Sequence, residues 1–330
     1  MRSIGMALPI AALICGAVPA AWAQSEYKLV KTINLPGDKG GHGDWVTFDP
    51  QTRTVWLAQS PDHNVVVIDA TVNKVKGVIP GIADGNGIAL SSNLAFLSDN
   101  KNDATVIVEK DTLRKIGDLK PIGKGPNGTT YAPSADAVYV STDSNDMTVF
   151  AAKPPFAQLA HFRLQPDPSK GGPDVALYVG SKDRLYQPND TVVDVIDPQS
   201  NAIVSVWKPD IKGSVKPIVY DPKTNHFFLG TTDKKMLVLD GDSGKVINAI
   251  PVKGAVDETV IDSGVRRAFV GDKAGIVEVI DLDSNRVVDT LPSEPNVHTL
   301  TLDPSSHTVY VYRNVSNKVD VFERTATPND

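Results

Sequence analysis

The chain has 330 residues, of which 41% are hydrophobic and 22% are charged, and its formal net charge is −6 at pH 7. Lys and Arg form no cluster, which argues against nucleic acid and anionic membrane surfaces as ligands, because phosphate binding depends on concentrated positive charge. After residue 23 the sequence has no apolar run that approaches 18 residues, so we expect no membrane insertion of that part of the chain.

The first 23 residues are typical of a secretory signal peptide. Arg2 supplies a positively charged start, an apolar stretch follows, and Ala21 and Ala23 are small residues where signal peptidase cleaves. We expect the mature chain to begin at Gln24 and to be periplasmic or secreted. Its net charge would be −7, because removing residues 1–23 removes one charge, that of Arg2, and leaves 32 basic against 39 acidic residues.

Cys15 is the only cysteine and lies within this predicted signal peptide. The mature chain is therefore expected to have no disulfide, thiol nucleophile or thiolate metal site. The hydrophobic core must then hold the fold, and a chain of this size buries about 75% of its unfolded surface.

The first predicted element of the mature chain is a strand at residues 27–35, YKLVKTINL. From residue 44 onwards a unit with four β-type segments repeats, which in its first copy are WVTF, TVWLA, NVVVI and KVKGVI. Turns rich in Asp, Asn, Gly, Pro and Ser separate the segments. The spacings are 42, 41, 47, 42, 41 and 41 residues, and the units open at Asp44, Asn86, Asn127, Asp174, Lys216, Asp257 and His298.

Four strands in about 41 residues predict one blade of a β-propeller. The sequence therefore predicts an all-β, seven-bladed β-propeller of four-stranded antiparallel blades, with residues 24–330 forming a single domain. The seventh unit lacks an outer strand, because only RTATPND follows NKVDVFE. We predict that the strand at 27–35 pairs with the last blade and closes the ring, which removes exposed sheet edges.

The phrases VYVSTDSND, VVVIDATVNKV, VDVIDPQSNAIV and VEVIDLDSNRVV resemble the YVTN/YncE family of bacterial propeller proteins. The resemblance covers about residues 27–323, although no blade spells YVTN. It implies a secreted or periplasmic seven-bladed propeller. It implies no catalytic residues, since the family and its wider neighbours include DNA-binding, surface-layer, lactonase-like and redox-associated members.

The candidate ligand site is the mouth of the central channel, where the innermost strands begin. The seven opening residues named above should form a ring there, and none of them is apolar. Polar residues can simply solvate a channel mouth, or they can hold a polar ligand or a cation. The acidic turns on the same face, including Asp99 and Asp143, have an ordinary structural role, because Asp and Asn are common turn formers.

A divalent metal ion is a possible cofactor. His42 lies two residues before Asp44, and His298 opens the blade that neighbours the first once the ring closes. Imidazole and carboxylate together suit Zn, Fe, Mn or Cu. Asp44, Asp257 and Glu258 complete this candidate set, and two unrelated surface histidines are the alternative.

The sequence thus favours a monomeric binding or scaffold protein that takes a small polar ligand, a cation or a partner protein at the channel mouth. The main alternative is a lactonase-like hydrolase that uses a divalent cation as Lewis acid. Binding of single-stranded DNA is disfavoured by the negative charge and by the few aromatic residues available for stacking.

Overall fold

The computed structural model describes residues 25–41, 43–167 and 172–325, so the predicted signal peptide lies outside the described residues. The described chain forms seven four-stranded antiparallel sheets, the blades of a β-propeller. The strands of blades one to four are β2 (Val46–Asp49), β3 (Thr54–Gln59), β4 (Asn64–Asp69) and β5 (Lys74–Pro80); β6 (Gly85–Leu90), β7 (Leu94–Asp99), β8 (Ala104–Glu109) and β9 (Lys115–Leu119); β10 (Pro126–Ala132), β11 (Ala137–Thr142), β12 (Asp146–Ala151) and β13 (Gln158–Arg163); β14 (Leu177–Val179), β15 (Arg184–Asn189), β16 (Val192–Asp197) and β17 (Ala202–Trp207).

The remaining blades are built in the same order from the axis outwards. Two 3-10 turns, Ser60–Asp62 and Asn100–Asn102, join the second and third strands of blades one and two. The strands of blades five to seven are β18 (Val215–Asp221), β19 (His226–Thr231), β20 (Lys235–Asp240) and β21 (Val246–Pro251); β22 (Val256–Asp262), β23 (Arg267–Asp272), β24 (Ile276–Asp281) and β25 (Arg286–Pro292); β26 (Thr299–Asp303), β27 (Thr308–Arg313), β28 (Lys318–Arg324) and the N-terminal β1 (Tyr27–Asn34).

The burial of each strand follows from its place in the blade. The second and third strands are covered on both faces by neighbouring blades, and β3 and β4 are buried along almost their whole length. This explains their continuous Val and Ile runs, since both sides of the strand need apolar residues. The outer strand β5 alternates between exposed and covered residues, as expected for a strand with one solvated face.

The hydrophobic core lies between the blades. The described residues form seven apolar clusters, and each joins two adjacent blades. Trp56 and Ala95, for example, belong to the cluster shared by blades one and two. The sequence repeats because each blade needs the same apolar faces for its two neighbours.

The recurring Asp at the end of an inner strand also joins blades. Asp221 accepts two hydrogen bonds from Arg266 of the next blade, at 2.7 and 2.8 Å. His307 lies 2.8 Å from Asp262, and Arg53 donates to Asp303 at 2.6 Å. The Asp that ends an inner strand and begins the following turn therefore also contacts the next blade.

The predicted ring closure is confirmed. Strand β1 pairs antiparallel with β28, from Tyr27 opposite Arg324 to Asn34 opposite Lys318. Ile33 of this strand is 5% exposed and packs in the cluster between blades seven and one. The N-terminal strand thus completes the last blade and contributes to the core. Among the described residues, no helix is long and apolar enough to cross a membrane.

Candidate functional site

The seven opening residues lie at or within three residues of the start of the innermost strands, and they meet at one end of the axis. Asn86, Asn127, Lys216 and Asp257 are each the second residue of their strand, and His298 immediately precedes β26. Together they border a cavity of about 360 Å³, called the axial cavity below. Its lining residues are Asp44, Trp45, Asp84, Asn86, Asn100, Asn127, Asp143, Gly172, Pro173, Asp174, Ser214, Val215, Lys216, Asp257, Glu258 and His298.

Two inner strands approach so closely at the axis that they require glycine. A Cβ on Gly128 would lie 2.5 Å from the carbonyl oxygen of Asp174, on the next blade. A Cβ on Gly87 would lie 2.5 Å from the backbone nitrogen of Thr129. The Asn-Gly pairs at Asn86 and Asn127 therefore let adjacent inner strands touch while their Asn side chains border the cavity.

One part of the wall, called the lysine side, contains Asp174, Lys216 and Asp257, together with Lys273, which pairs with Asp257 from outside the lining. The Lys216 ammonium lies 2.6 Å from Asp257 Oδ1 and 3.1 Å from Asp174 Oδ2. Lys273 lies 2.9 Å from the other oxygen of Asp257. These contacts form a chain of alternating charges across blades four, five and six.

The pKa values on the lysine side reflect these contacts. Burial alone would lower the pKa of Lys216, but the charges of Asp174 and Asp257 outweigh it and raise that pKa. Burial favours a higher pKa for Asp257, yet Lys216 and Lys273 bring it below its ordinary value. Among the described residues Asp174 has one lysine partner, Lys216, and burial raises the pKa of Asp174. Lys216 therefore remains charged, and Asp257 is its main counter-ion.

Another part of the wall, called the acidic side, contains Asp84 and Asp143. The Asp143 carboxylate accepts hydrogen bonds from the side-chain amides of Asn100 at 2.8 Å and Asn127 at 3.2 Å. A Cβ on Gly125, whose φ is +65°, would lie 2.6 Å from Asp143 Oδ2. Glycine is thus needed where this loop passes the carboxylate.

Asp84 is held through its backbone. Asp99 Oδ1 accepts hydrogen bonds from the amides of Ala83 at 3.1 Å and Asp84 at 3.2 Å, and Asn100 N donates to Asp84 O at 2.9 Å. Within the described ranges, no cationic side chain pairs with Asp84 or Asp143, in contrast to the lysine side. The acidic side therefore offers negative charge to the cavity.

Asp44 and Glu258 add two more carboxyl groups to the wall. The Asn86 amide donates to Asp44 Oδ2 at 3.2 Å in the orientation that satisfies both ends of the amide. Glu258 is 4% exposed and accepts a hydrogen bond from Leu300 N at 3.0 Å. Burial raises the pKa of Glu258 well above its ordinary value, and nearby carboxylates, that of Asp174 among them, add to the shift.

The structure describes His298, Asp44, Asp257 and Glu258 of the candidate metal set, whereas His42 lies outside the described residues. The His298 ring nitrogens lie 2.5 Å from Asn296 O and 3.0 Å from Gly43 O. In the described ranges, no group of three or more His, Cys, Asp or Glu side chains is arranged to hold a metal ion. The shared metal site, and with it the metal-dependent lactonase, remains a prediction.

The sequence interpretation gave the acidic turns, Asp99 and Asp143 among them, an ordinary structural role. Asp99 does fix backbone amides, as a turn aspartate should. Asp143 instead borders the axial cavity, together with Asp84 and Asn100. The position of Asp143 in the repeat could have indicated its place at the cavity. Turns between the second and third strands lie on the same face of the propeller as the starts of the inner strands.

A second cavity of about 580 Å³ lies along the inner strands of blades one to four, and Trp45 borders both cavities. Its wall includes the rings of Phe48, Tyr131 and Tyr178. The tyrosine hydroxyls donate outside it, to Asp136 and Asp183. The polar axial cavity is thus followed along the inner strands by a more apolar one.

These features define a seven-bladed β-propeller with a polar cavity on its axis. The structure of Kuenenia stuttgartiensis hydrazine synthase contains a similar chain, with a TM-score of 0.77 and 17% sequence identity over 94% of this chain and 99% of that one. At this identity the similarity shows the fold alone. No protein-family model matches the chain, and no curated protein sequence matches it either.

Proposed function

We propose that this chain is a binding protein whose axial cavity takes a small hydrophilic ligand with a positive charge. The supporting observation is the acidic side, where Asp84 and Asp143 border the cavity and have no cationic partner among the described residues. Negative charge that is not compensated locally on a cavity wall concentrates cationic ligands. Half of the remaining lining residues are Asp, Asn or Ser, which favours a hydrogen-bonding ligand over an apolar one.

The test compares two probes of similar size and different charge. Ethanolamine is protonated at pH 7, whereas ethylene glycol is neutral. We expect ethanolamine to raise the melting temperature and ethylene glycol to leave it unchanged at equal concentration, because a ligand that binds only the folded state stabilises it. The effect of ethanolamine should weaken as NaCl is raised, since salt screens the attraction. Equal effects of the two probes would contradict the proposal.

We further propose that the protein is exported, acts as a monomer and belongs with the YVTN/YncE-like propellers. The N-terminal sequence and the repeat phrases quoted above support this placement. Cell fractionation and N-terminal sequencing should give a periplasmic or secreted chain that begins at Gln24. Light scattering should give the mass of one chain.

A further inference from the structure

Lys216 already fills part of the axial cavity with an ammonium group. Its Nζ lies between Asp257 Oδ1 at 2.6 Å and Asp174 Oδ2 at 3.1 Å, and its side chain is 23% exposed. Two carboxylates at hydrogen-bond distance are the surroundings that a bound alkylammonium ion would need. The protein's own lysine therefore occupies an ammonium position in the cavity wall.

The two sides of the cavity consequently differ in charge. On the lysine side, the carboxylates of Asp174 and Asp257 face the ammonium groups of Lys216 and Lys273. On the acidic side, the described residues that donate to the Asp143 carboxylate are the neutral amides of Asn100 and Asn127. A ligand with one positive charge gains from the acidic side, whereas a second ammonium group would meet Lys216 and be repelled.

We propose that Lys216 determines the charge of the ligand by occupying a second ammonium position and restricting the cavity to monocations. This inference rests on the proposed function. The ligand class is then a small hydrophilic organic cation with one positive charge, and diamines and polyamines are not favoured. Removal of the lysine side chain would leave Asp174 and Asp257 for a second ammonium group.

Calorimetric titration with butylamine and 1,4-diaminobutane tests this inference, because the two probes differ by one ammonium group. The wild-type protein should bind 1,4-diaminobutane no more than about twofold more tightly than butylamine. A factor of two is the statistical advantage of a ligand with two equivalent ends. Lys216→Met should bind the diamine at least about tenfold more tightly than butylamine, a modest coupling for close charge pairs. Lys216→Met/Asp174→Asn should lose most of this preference.

Lys76→Met is the matched control, since Lys76 is an exposed residue of the outer strand β5. It should behave as the wild type with both probes. Lys216→Met leaves two carboxylates without their lysine and is expected to lose stability. Methylammonium chloride should restore more of the melting temperature of Lys216→Met than of Lys76→Met, because the ion can replace the missing ammonium group.

The outcomes separate the two proposals. If the wild type binds neither amine, the proposed function is wrong and this inference falls with it. If the wild type binds the diamine tenfold more tightly than butylamine, Lys216 does not restrict ligand charge, although cation binding stands. Equal binding of both amines by a folded Lys216→Met would also overturn the inference. If that variant does not fold, the wild-type comparison still decides.

Discussion

The guanidinium group of Arg266 in blade six donates two hydrogen bonds to the carboxylate of Asp221 in blade five, at 2.7 and 2.8 Å. Asp221 is fully buried, and burial would raise its pKa, but the hydrogen bonds from Arg266 and Thr224 bring the pKa below its ordinary value. Asp221 ends the inner strand of its blade, and Arg266 lies in the turn before β23 of the next. The pair therefore fixes one blade against its neighbour.

Arg266→Ala should destabilise the fold by about 3–5 kcal/mol, because it leaves a buried carboxylate without its cation. The free energy of unfolding in urea measures this loss. Arg114→Ala is the control, since Arg114 forms an exposed pair with Glu109 at 2.8 Å, and its loss should cost no more than about 1 kcal/mol. Comparable losses in the two variants would show that the Asp221–Arg266 pair has no special role.

Strand β1 offers a matched test of ring closure. Ile33 is 5% exposed and packs between blades seven and one, whereas Leu29 on the same strand is 46% exposed. Ile33→Asp should lower the melting temperature sharply, since it places a charge in the core, and Leu29→Asp should have a small effect. If both variants melt like the wild type, β1 does not close the propeller in solution.

Asp194 predicts a pH dependence of stability. Its side chain is fully buried, one oxygen accepts a hydrogen bond from Gln165 N at 2.9 Å, and burial raises its pKa to about 7. The unfolded value is near 3.9, so the folded state binds the proton more tightly than the unfolded state. The contribution of Asp194 to the stability of the fold should therefore decrease as pH rises from about 4 to about 7.

Asp194→Asn should remove this contribution. The free energy of unfolding of the variant, relative to that of the wild type, should therefore be higher at pH 8 than at pH 5. Urea unfolding at the two pH values measures the difference. Asp197→Asn on the same strand is the control, because serine and backbone hydrogen bonds lower the pKa of Asp197. Asp197→Asn should change the free energy of unfolding by the same amount at pH 5 and pH 8. If Asp194→Asn also changes it by the same amount at both pH values, the prediction is contradicted.

Gly128 tests the close packing of inner strands at the axis. Gly128→Ala should destabilise the fold by about 1–3 kcal/mol, since the new Cβ would overlap the backbone of Asp174 and force a shift. Gly117→Ala on the outer strand β9 is the control, because its Cβ would meet its nearest neighbour at 3.8 Å. Thermal melting compares them, and equal stability of the two variants would contradict the packing argument.

The fold could be predicted from the sequence because its determinants are local and repeated. The 41-residue period, the four segments and the missing outer strand of the last unit together specify seven blades and their closure. The Asp residues of the repeated turn were visible as turn formers. Their second role was hidden, because the partner of Asp221 lies in another blade, 45 residues away.

The candidate site was predictable only in part. The opening residues could be placed in one ring, since equivalent positions in a repeat lie on the same face. The charge difference between the two sides could not be predicted, because the sequence does not show which carboxylates form ion pairs with lysine. Lys216 reaches Asp257 on the next blade and Asp174 on the preceding one. Asp143 looked like any other turn aspartate.

The most direct test of the account is calorimetric titration of ethanolamine into wild-type protein and into Asp84→Asn/Asp143→Asn at low ionic strength. Asp111→Asn, a change at an exposed turn, is the control for the loss of one negative charge. We expect the wild type and Asp111→Asn to bind with similar affinity. The double variant should bind at least about tenfold more weakly, because the carboxylates that attract the cation are gone. Unchanged binding by the folded double variant, or no binding by the wild type, would contradict the proposal that the axial cavity binds cations.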